Sequence, residues 1–148
     1  MKKLVKFCAV LLAVTMVSAF SGCAARTTIS ADDFQKQAKS AGYTVSTASD
    51  TDAGASKVLS AKKDGTDVEI CYYLFNTADV ALTWYSSEKD ELSGSGKTIV
   101  DSDVYNKYTT TNGEIYYLVV RMDNTGILCK TTLAKKDEAD QFVKSLKY

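Results

Sequence analysis

Residues 105–122 decide the fold and read YNKYTTTNGEIYYLVVRM. Two runs rich in β-branched and aromatic residues, Tyr105 to Thr111 and Glu114 to Met122, flank the pair Asn112-Gly113. An Asn-Gly pair in this position is the strongest short-range indication of a two-residue β-hairpin turn. The stretch therefore predicts two antiparallel strands joined by a tight turn.

The same pattern occurs earlier in the chain. Lys57 to Lys63 and Thr66 to Phe75 flank Asp64-Gly65, which predicts another hairpin. A further strand is predicted from Ile127 to Leu133, and Tyr43 to Val45 begins an extended segment. Together these segments predict an antiparallel sheet of five or six strands.

Helices are predicted before, between and after these strands. Ser30 is placed as an N-cap and Gly42 as a stop, so the first helix covers about 31 to 41. A second helix is capped by Asn76 or Thr77. A third carries apolar residues at helical spacing, namely Ala139, Phe142, Val143 and Leu146. We expect an α+β fold in which these N-terminal, middle and C-terminal helices pack mainly on one face of the sheet.

The N-terminus has the pattern of an export signal. Lys2, Lys3 and Lys6 form a basic leader, and an apolar run follows from Phe7 to Phe20. This run is shorter than the ~20 apolar residues of a membrane-spanning helix, which favours a cleaved signal peptide over 1–22.

Ser21-Gly22-Cys23 follows the apolar run and is similar to the lipobox of bacterial lipoproteins. With the helix start from Ile29 to Phe34, the whole chain resembles small membrane lipoproteins of Gram-positive bacteria. The resemblance implies a diacylglyceryl group on Cys23 and a domain anchored by lipid on the extracytoplasmic face of the cell membrane. It assigns no activity. The alternative is ordinary secretory cleavage near Ala24 or Ala25, with Cys23 incidental.

The expected organisation has three parts. A signal peptide covers 1–22, a short tether with the lipidated cysteine covers 23–28, and a single α+β domain covers 29–148. Two acyl chains on Cys23 would anchor the domain stably, because a single chain binds membranes only marginally.

Composition excludes several classes of protein. Hydrophobic residues make up 45% of the chain and charged residues 24%, which is typical of a globular domain. Basic and acidic residues number 18 each, and removal of the leader takes away only basic ones, so the domain is mildly acidic. Nucleic-acid binders normally carry a basic excess, so we expect no nucleic-acid partner.

Histidine is absent from the chain, and this argues against much of catalytic chemistry. The usual general base and the usual metal ligand are both missing, and the sequence has no Cys-x-x-Cys pair. We therefore expect no cofactor and no metal site, and a non-enzymatic protein is favoured over an enzyme.

Cys71 and Cys129 remain once the signal is removed and Cys23 carries lipid. An exported protein could join them in a disulfide. However, Cys71 alternates with the apolar Ile70, whereas Cys129 shares a face with Ile127, so the two sulfurs point to opposite sides of a common sheet. This favours two partly buried free thiols.

Tyrosines are the most informative side chains for function. The chain has nine, and the strand Ile115 to Met122 is apolar on both faces, so both faces must be covered. If the helices cover one face, the other presents Tyr73, Phe75 and Tyr117 to a partner, because tyrosine-rich surfaces suit protein, peptide and glycan contacts. The alternative is that a long loop or a helix covers these rings as well.

The favoured interpretation is a membrane-anchored, non-enzymatic binding or interaction module at the cell surface. Its partner would be an envelope protein, a peptide or a glycan. Two alternatives stay open. One is a small cell-wall enzyme that uses carboxylates such as Glu69 and Glu114, and the other is a lipoprotein with a structural or envelope-stress role.

Overall fold

The computed structural model describes residues 27–48, 54–92 and 96–148. The predicted signal peptide over 1–22, Cys23 and the first part of the tether lie outside these described residues. Among the described residues, no helix has the length and apolar character needed to cross a bilayer.

Three helices and seven strands follow one another along the described part of the chain. The helices are α1 (Ala31–Ser40), α2 (Ala78–Glu91) and α3 (Lys136–Ser145). The strands are β1 (Thr44–Thr47), β2 (Ala55–Lys62), β3 (Glu69–Phe75), β4 (Lys97–Asp101), β5 (Tyr105–Asn112), β6 (Ile115–Met122) and β7 (Thr125–Thr132). Neighbouring strands are antiparallel, in the order β1-β2-β3-β7-β6-β5-β4. The α+β class and the antiparallel sheet are therefore confirmed.

The sheet has seven strands, whereas five or six were predicted. The strand that the sequence did not indicate is β4, which pairs with β5 at one edge of the sheet. Lys97, Thr98 and Ile99 are all exposed, so β4 has no alternation of buried and exposed residues. Without that alternation, the segment resembles a loop at the level of sequence.

Local turn and cap signals are confirmed. Gly113 adopts a φ of 58° in the tight turn between β5 and β6, a conformation that favours glycine. At the start of α1, Ser30 Oγ accepts a hydrogen bond from the Asp33 N–H at 3.1 Å. At the start of α2, Thr77 Oγ1 accepts one from the Val80 N–H at 3.3 Å. Side-chain oxygens in these positions satisfy amides that the helix leaves unpaired.

The prediction that all three helices pack mainly on one face of the sheet is wrong. Helices α1 and α3 cover one face, where Phe34, Phe142 and Leu118 belong to the larger core cluster. Helix α2 covers the opposite face, where Trp84 belongs to a smaller cluster with Val119. The physical reason is that β6 is apolar on both sides, so each side requires a cover.

Candidate ligand-binding groove

An open groove lies beside α2, where the helix leaves part of β2 and β3 uncovered. Its volume is about 830 Å³. The sheet contributes Ser60, Glu69, Cys71 and Tyr73 to its lining, and the helix contributes Thr83, Trp84, Ser87, Glu88 and Glu91. Small-molecule sites in proteins typically occupy ~300–1,000 Å³, so the groove is large enough for a ligand of that class.

Strand register brings the polar floor of the groove together. Ser60 on β2 lies opposite Cys71 on β3, and Lys62 lies opposite Glu69. Because side chains alternate along a strand, these residues share the face that α2 covers, while Ile70 faces α1 and α3. The sheet is therefore apolar toward the larger core and partly polar toward the groove.

Trp84 sets the distance between α2 and the sheet. Its side chain is only 4% exposed, and its ring lies 4.7 Å from that of Tyr73 and 5.4 Å from that of Phe75, between centroids. The benzene edge of the indole lies directly on Gly126 of β7, where an added Cβ would stand 2.3 Å from Cζ3. Glycine at this position therefore permits the close approach of α2 that forms one wall of the groove.

The indole N–H of Trp84 lies on the ring edge that faces away from Gly126. Nε1 is buried and has no hydrogen-bond partner of normal geometry among the described residues. It lies near enough to Glu88, one helical turn further along α2, to lower the pKa of that carboxyl group. The wall of the groove thus contains a buried donor that interacts with Glu88 but makes no hydrogen bond of normal geometry within the described residues.

Negative charge is concentrated on the helix side of the groove. On the sheet side, Glu69 is paired with Lys62 at 3.2 Å and accepts a hydrogen bond from Ser60 Oγ at 3.2 Å. Across residues 27–48, 54–92 and 96–148, neither Glu88 nor Glu91 has a cationic partner within 4 Å. Burial raises the pKa of Glu88, and the neighbouring Glu91 raises it further. Burial disfavours the ionised form of the carboxyl group, and the like charge of Glu91 adds to that effect.

Cys71 and Cys129 lie on opposite faces of the sheet, and both are free thiols, as the strand alternation predicted. Cys71 is half-buried in the groove floor, and burial raises the pKa of its thiol. Cys129 is buried in the larger core, and burial raises the pKa of its thiol to about 12. A raised pKa lowers the thiolate fraction at neutral pH, so neither cysteine is an activated nucleophile.

The three aromatic residues of the predicted binding surface are in different environments. Phe75 is only 1% exposed and packs against Trp84 beneath α2, which contradicts the prediction for this residue because a helix already covers it. Tyr73 is half-buried and lines the groove. Tyr117 is half-buried on the same face but does not line the groove. It lies opposite Lys130, whereas the position opposite Tyr73 is nearer the start of β7. Of the three, Tyr73 alone belongs to the candidate site.

The two carboxylates of the enzyme alternative do not converge. Glu69 lies in the groove, whereas Glu114 is exposed at the turn between β5 and β6. Strand β3 begins at Glu69 and β6 follows Glu114, and the two strands are separated by β7. Glu69 lies opposite Lys130 on β7, while Leu133, beyond the end of β7, donates its N–H to the Glu114 carbonyl. Acid–base catalysis by a carboxylate pair needs both groups at one reacting bond, which this placement does not provide.

Comparisons with known proteins give a structural match but no family. Neither known protein families nor curated proteins match the chain. Among solved structures, a GTP binding regulator from Thermotoga maritima matches over 80% of this chain and 84% of its own, with a TM-score of 0.56 and 14% sequence identity. At that identity, the likeness shows a shared fold alone.

Sequence reasoning placed Tyr73 in the candidate site but missed Trp84, Glu88 and Glu91. The alternation along β3 already set Glu69, Cys71 and Tyr73 on one face. The contribution of the helix could not be predicted in the same way, because α2 carries polar residues around much of its circumference and was expected on the other face.

Proposed function

We propose that this chain is an extracytoplasmic, lipid-anchored lipoprotein that acts as a non-enzymatic binding module, and that its ligand occupies the groove between α2, β2 and β3. The groove is the observation that carries the proposal, since it combines a volume of about 830 Å³ with the aromatic side chains Tyr73 and Trp84. The location is supported by the basic leader, the apolar run and Ser21-Gly22-Cys23.

A nucleotide is a poor fit to this groove. The protein from Thermotoga maritima is described as a GTP binding regulator, but its likeness to this chain concerns the fold. Nucleotide phosphates are anionic, and the uncompensated carboxylates of Glu88 and Glu91 would repel them. The chemistry of the lining thus favours a ligand without phosphate groups.

Filling the groove is expected to abolish binding while the domain stays folded. Thr83 is exposed on α2 and lines the groove, so Thr83→Phe places a ring inside it. Ser86 is exposed on the same helix and does not line the groove, so Ser86→Phe is a matched control. The two positions are also alike in hydrogen bonding, because the hydroxyl groups of Thr83 and Ser86 each donate to the backbone carbonyl one helical turn earlier, at 3.0 Å.

The measurement is thermal unfolding of the full-length chain in detergent, with and without the low-molecular-weight fraction of a native envelope extract. A ligand that binds the folded state stabilises it by about 2.7 kcal/mol when present at about 100 times its Kd. We expect the unfolding midpoint to rise for the wild type and for Ser86→Phe, and to stay constant for Thr83→Phe. An equal rise in Thr83→Phe would show that the ligand binds elsewhere, and no rise in the wild type would count against a small-molecule binding module.

Removal of the Cys23 thiol is expected to abolish membrane anchoring. Serine offers no thiol for thioether formation, so Cys23→Ser should lose all incorporated lipid and leave the membrane fraction. Labelled fatty acid and cell fractionation measure the two effects, and Cys71→Ser, which removes a thiol from the groove, serves as the control. Lipid label retained by Cys23→Ser would disprove attachment at this residue.

A further inference from the structure

We propose that the groove beside α2 selects a small organic cation, in which an amine or quaternary ammonium group is carried on an apolar body. This inference rests on the proposed function and names the class of ligand for the same groove. Charge, aromatic lining and size each support it separately.

The charge of the groove favours a cation. Lys62 compensates Glu69 on the sheet side, whereas Glu88 and Glu91 on the helix side have no ion-pair partner among the described residues. Glu88 is half-buried, so the electrostatic interaction between its carboxylate and a nearby charge is screened less than it would be in bulk water. A ligand cation would supply the compensating charge that the protein itself lacks at this wall.

The aromatic lining provides a second contact for a cation. Tyr73 and Trp84 line the groove, and their rings lie 4.7 Å apart between centroids. Cations are attracted to the faces of such rings. Tyr73 is half-buried and can be reached from the groove, whereas Trp84 is 4% exposed and supports the Tyr73 ring by packing against it. The same rings offer apolar area to the body of the ligand, which a bare metal ion could not use.

The buried indole N–H of Trp84 is a further indication of a ligand. Trp84 is 4% exposed and lines the groove, and its Nε1 interacts with Glu88 without a hydrogen bond of normal geometry in the part of the chain that the structure describes. Contact of the benzene edge with Gly126 turns Nε1 away from β7 and toward the side of α2 that carries Glu88. A cation beside Glu88 would stabilise the ionised form of that carboxylate, and an ionised carboxylate is a stronger acceptor for the N–H.

Size favours a small molecule over a macromolecular partner. The groove is about 830 Å³, which lies within the range of small-molecule sites. Stable protein interfaces usually bury about 800 Å² on each partner, and their cores are depleted of charged residues. The lining of this groove contains three glutamates, so its composition differs from that of a protein interface core.

Three probes with the same apolar body test the inference: 2-phenylethylamine, which is cationic, 2-phenylethanol, which is neutral, and phenylacetate, which is anionic. Trp84 is the single tryptophan of the chain, so intrinsic tryptophan fluorescence of the full-length protein in detergent reports directly on the groove. We expect 2-phenylethylamine to change the emission saturably and to bind about tenfold or more tightly than the neutral probe. Phenylacetate should bind least.

Charge-removing variants locate the effect. Glu88→Gln should weaken binding of 2-phenylethylamine about tenfold, with little effect on 2-phenylethanol. Glu91→Gln, at an exposed position, supplies a second variant in case Glu88→Gln fails to fold, and Glu114→Gln, at an exposed turn outside the groove, is the control. The unfolding midpoint of each variant checks that it is folded.

Several outcomes would overturn the inference. Equal affinity for the three probes, abolished in all cases by Thr83→Phe, would show a groove that binds ligands without selecting a cation, and the proposed function would stand. Unchanged affinity for the amine in both Glu88→Gln and Glu91→Gln would likewise show that the groove does not select a cation, and the proposed function would stand. A constant emission with every probe would also overturn it, and the thermal test with the envelope extract would then decide the proposed function independently.

Discussion

Arg121→Met is expected to lower the free energy of unfolding by about 3–5 kcal/mol. Arg121 lies on β6 and is 1% exposed. Its Nε donates to Asn106 Oδ1 at 2.7 Å, and its Nη2 donates to the Asp103 carbonyl at 2.6 Å. Its Nη1 also donates to the Asp123 carbonyl at 3.3 Å. Methionine keeps most of the apolar stem but removes every donor, so buried acceptors lose their partners.

Arg121 also joins two turns at one end of the sheet. Asn106, which accepts from Arg121, donates through Nδ2 to Asp101 Oδ1 at 2.7 Å and to the Ser102 carbonyl at 3.0 Å. The network therefore holds the turn between β4 and β5 against the turn that begins at Asp123. We expect loss of Arg121 to release the β4 edge as well as to lower global stability.

Urea unfolding followed by circular dichroism measures the effect of Arg121→Met. Lys130→Met is the matched control, since Lys130 lies on β7 with its side chain exposed, and it should change stability by less than about 0.5 kcal/mol. The loss of stability in Arg121→Lys should lie between the losses in Arg121→Met and Lys130→Met, because one ammonium group cannot reproduce the planar fork of the guanidinium. A loss below about 1 kcal/mol in Arg121→Met would contradict the assigned role.

Phe34→Ala is expected to destabilise the domain by about 3–5 kcal/mol. Phe34 of α1 is fully buried and stacks on Tyr72 of β3 at 5.2 Å between ring centroids. It also meets the ring of Phe142 of α3 edge-on at 6.4 Å. One ring thus joins two helices to the sheet, and its removal leaves a cavity at their junction.

The midpoint of urea unfolding should fall in Phe34→Ala, with the slope of the transition unchanged, because the surface exposed on unfolding stays similar. Lys36→Ala on the exposed side of the same helix controls for helix propensity, and it should change stability by less than about 0.5 kcal/mol. Similar unfolding curves for the two variants would show that α1 does not pack on the sheet as described.

Local chemistry made much of this fold predictable. Gly113 marked a turn that requires positive φ, and Ser30 marked a helix start, because each signal depends on a few neighbouring residues. The edge strand β4 was missed because its residues are mostly exposed, and an edge strand is held by its backbone bonds to β5. The face that α2 covers is a tertiary choice that no periodicity within the helix could reveal.

The groove was only partly predictable for the same reason. Alternation along β3 is enough to place Glu69, Cys71 and Tyr73 on one face. The opposite wall depends on the contact between Trp84 and Gly126, which are distant in sequence and have no shared motif.

A charged Arg121 within a strand that is apolar on both faces was a visible signal of a buried polar network.

The most direct test of a ligand-binding groove is native mass spectrometry of the chain as isolated from its own membrane. The expected result is one small molecule bound per chain in the wild type and in Ser86→Phe, released on unfolding and absent from Thr83→Phe. A molecule bound equally to Thr83→Phe, or a wild-type chain that carries no small molecule at any stage of gentle isolation, would contradict it.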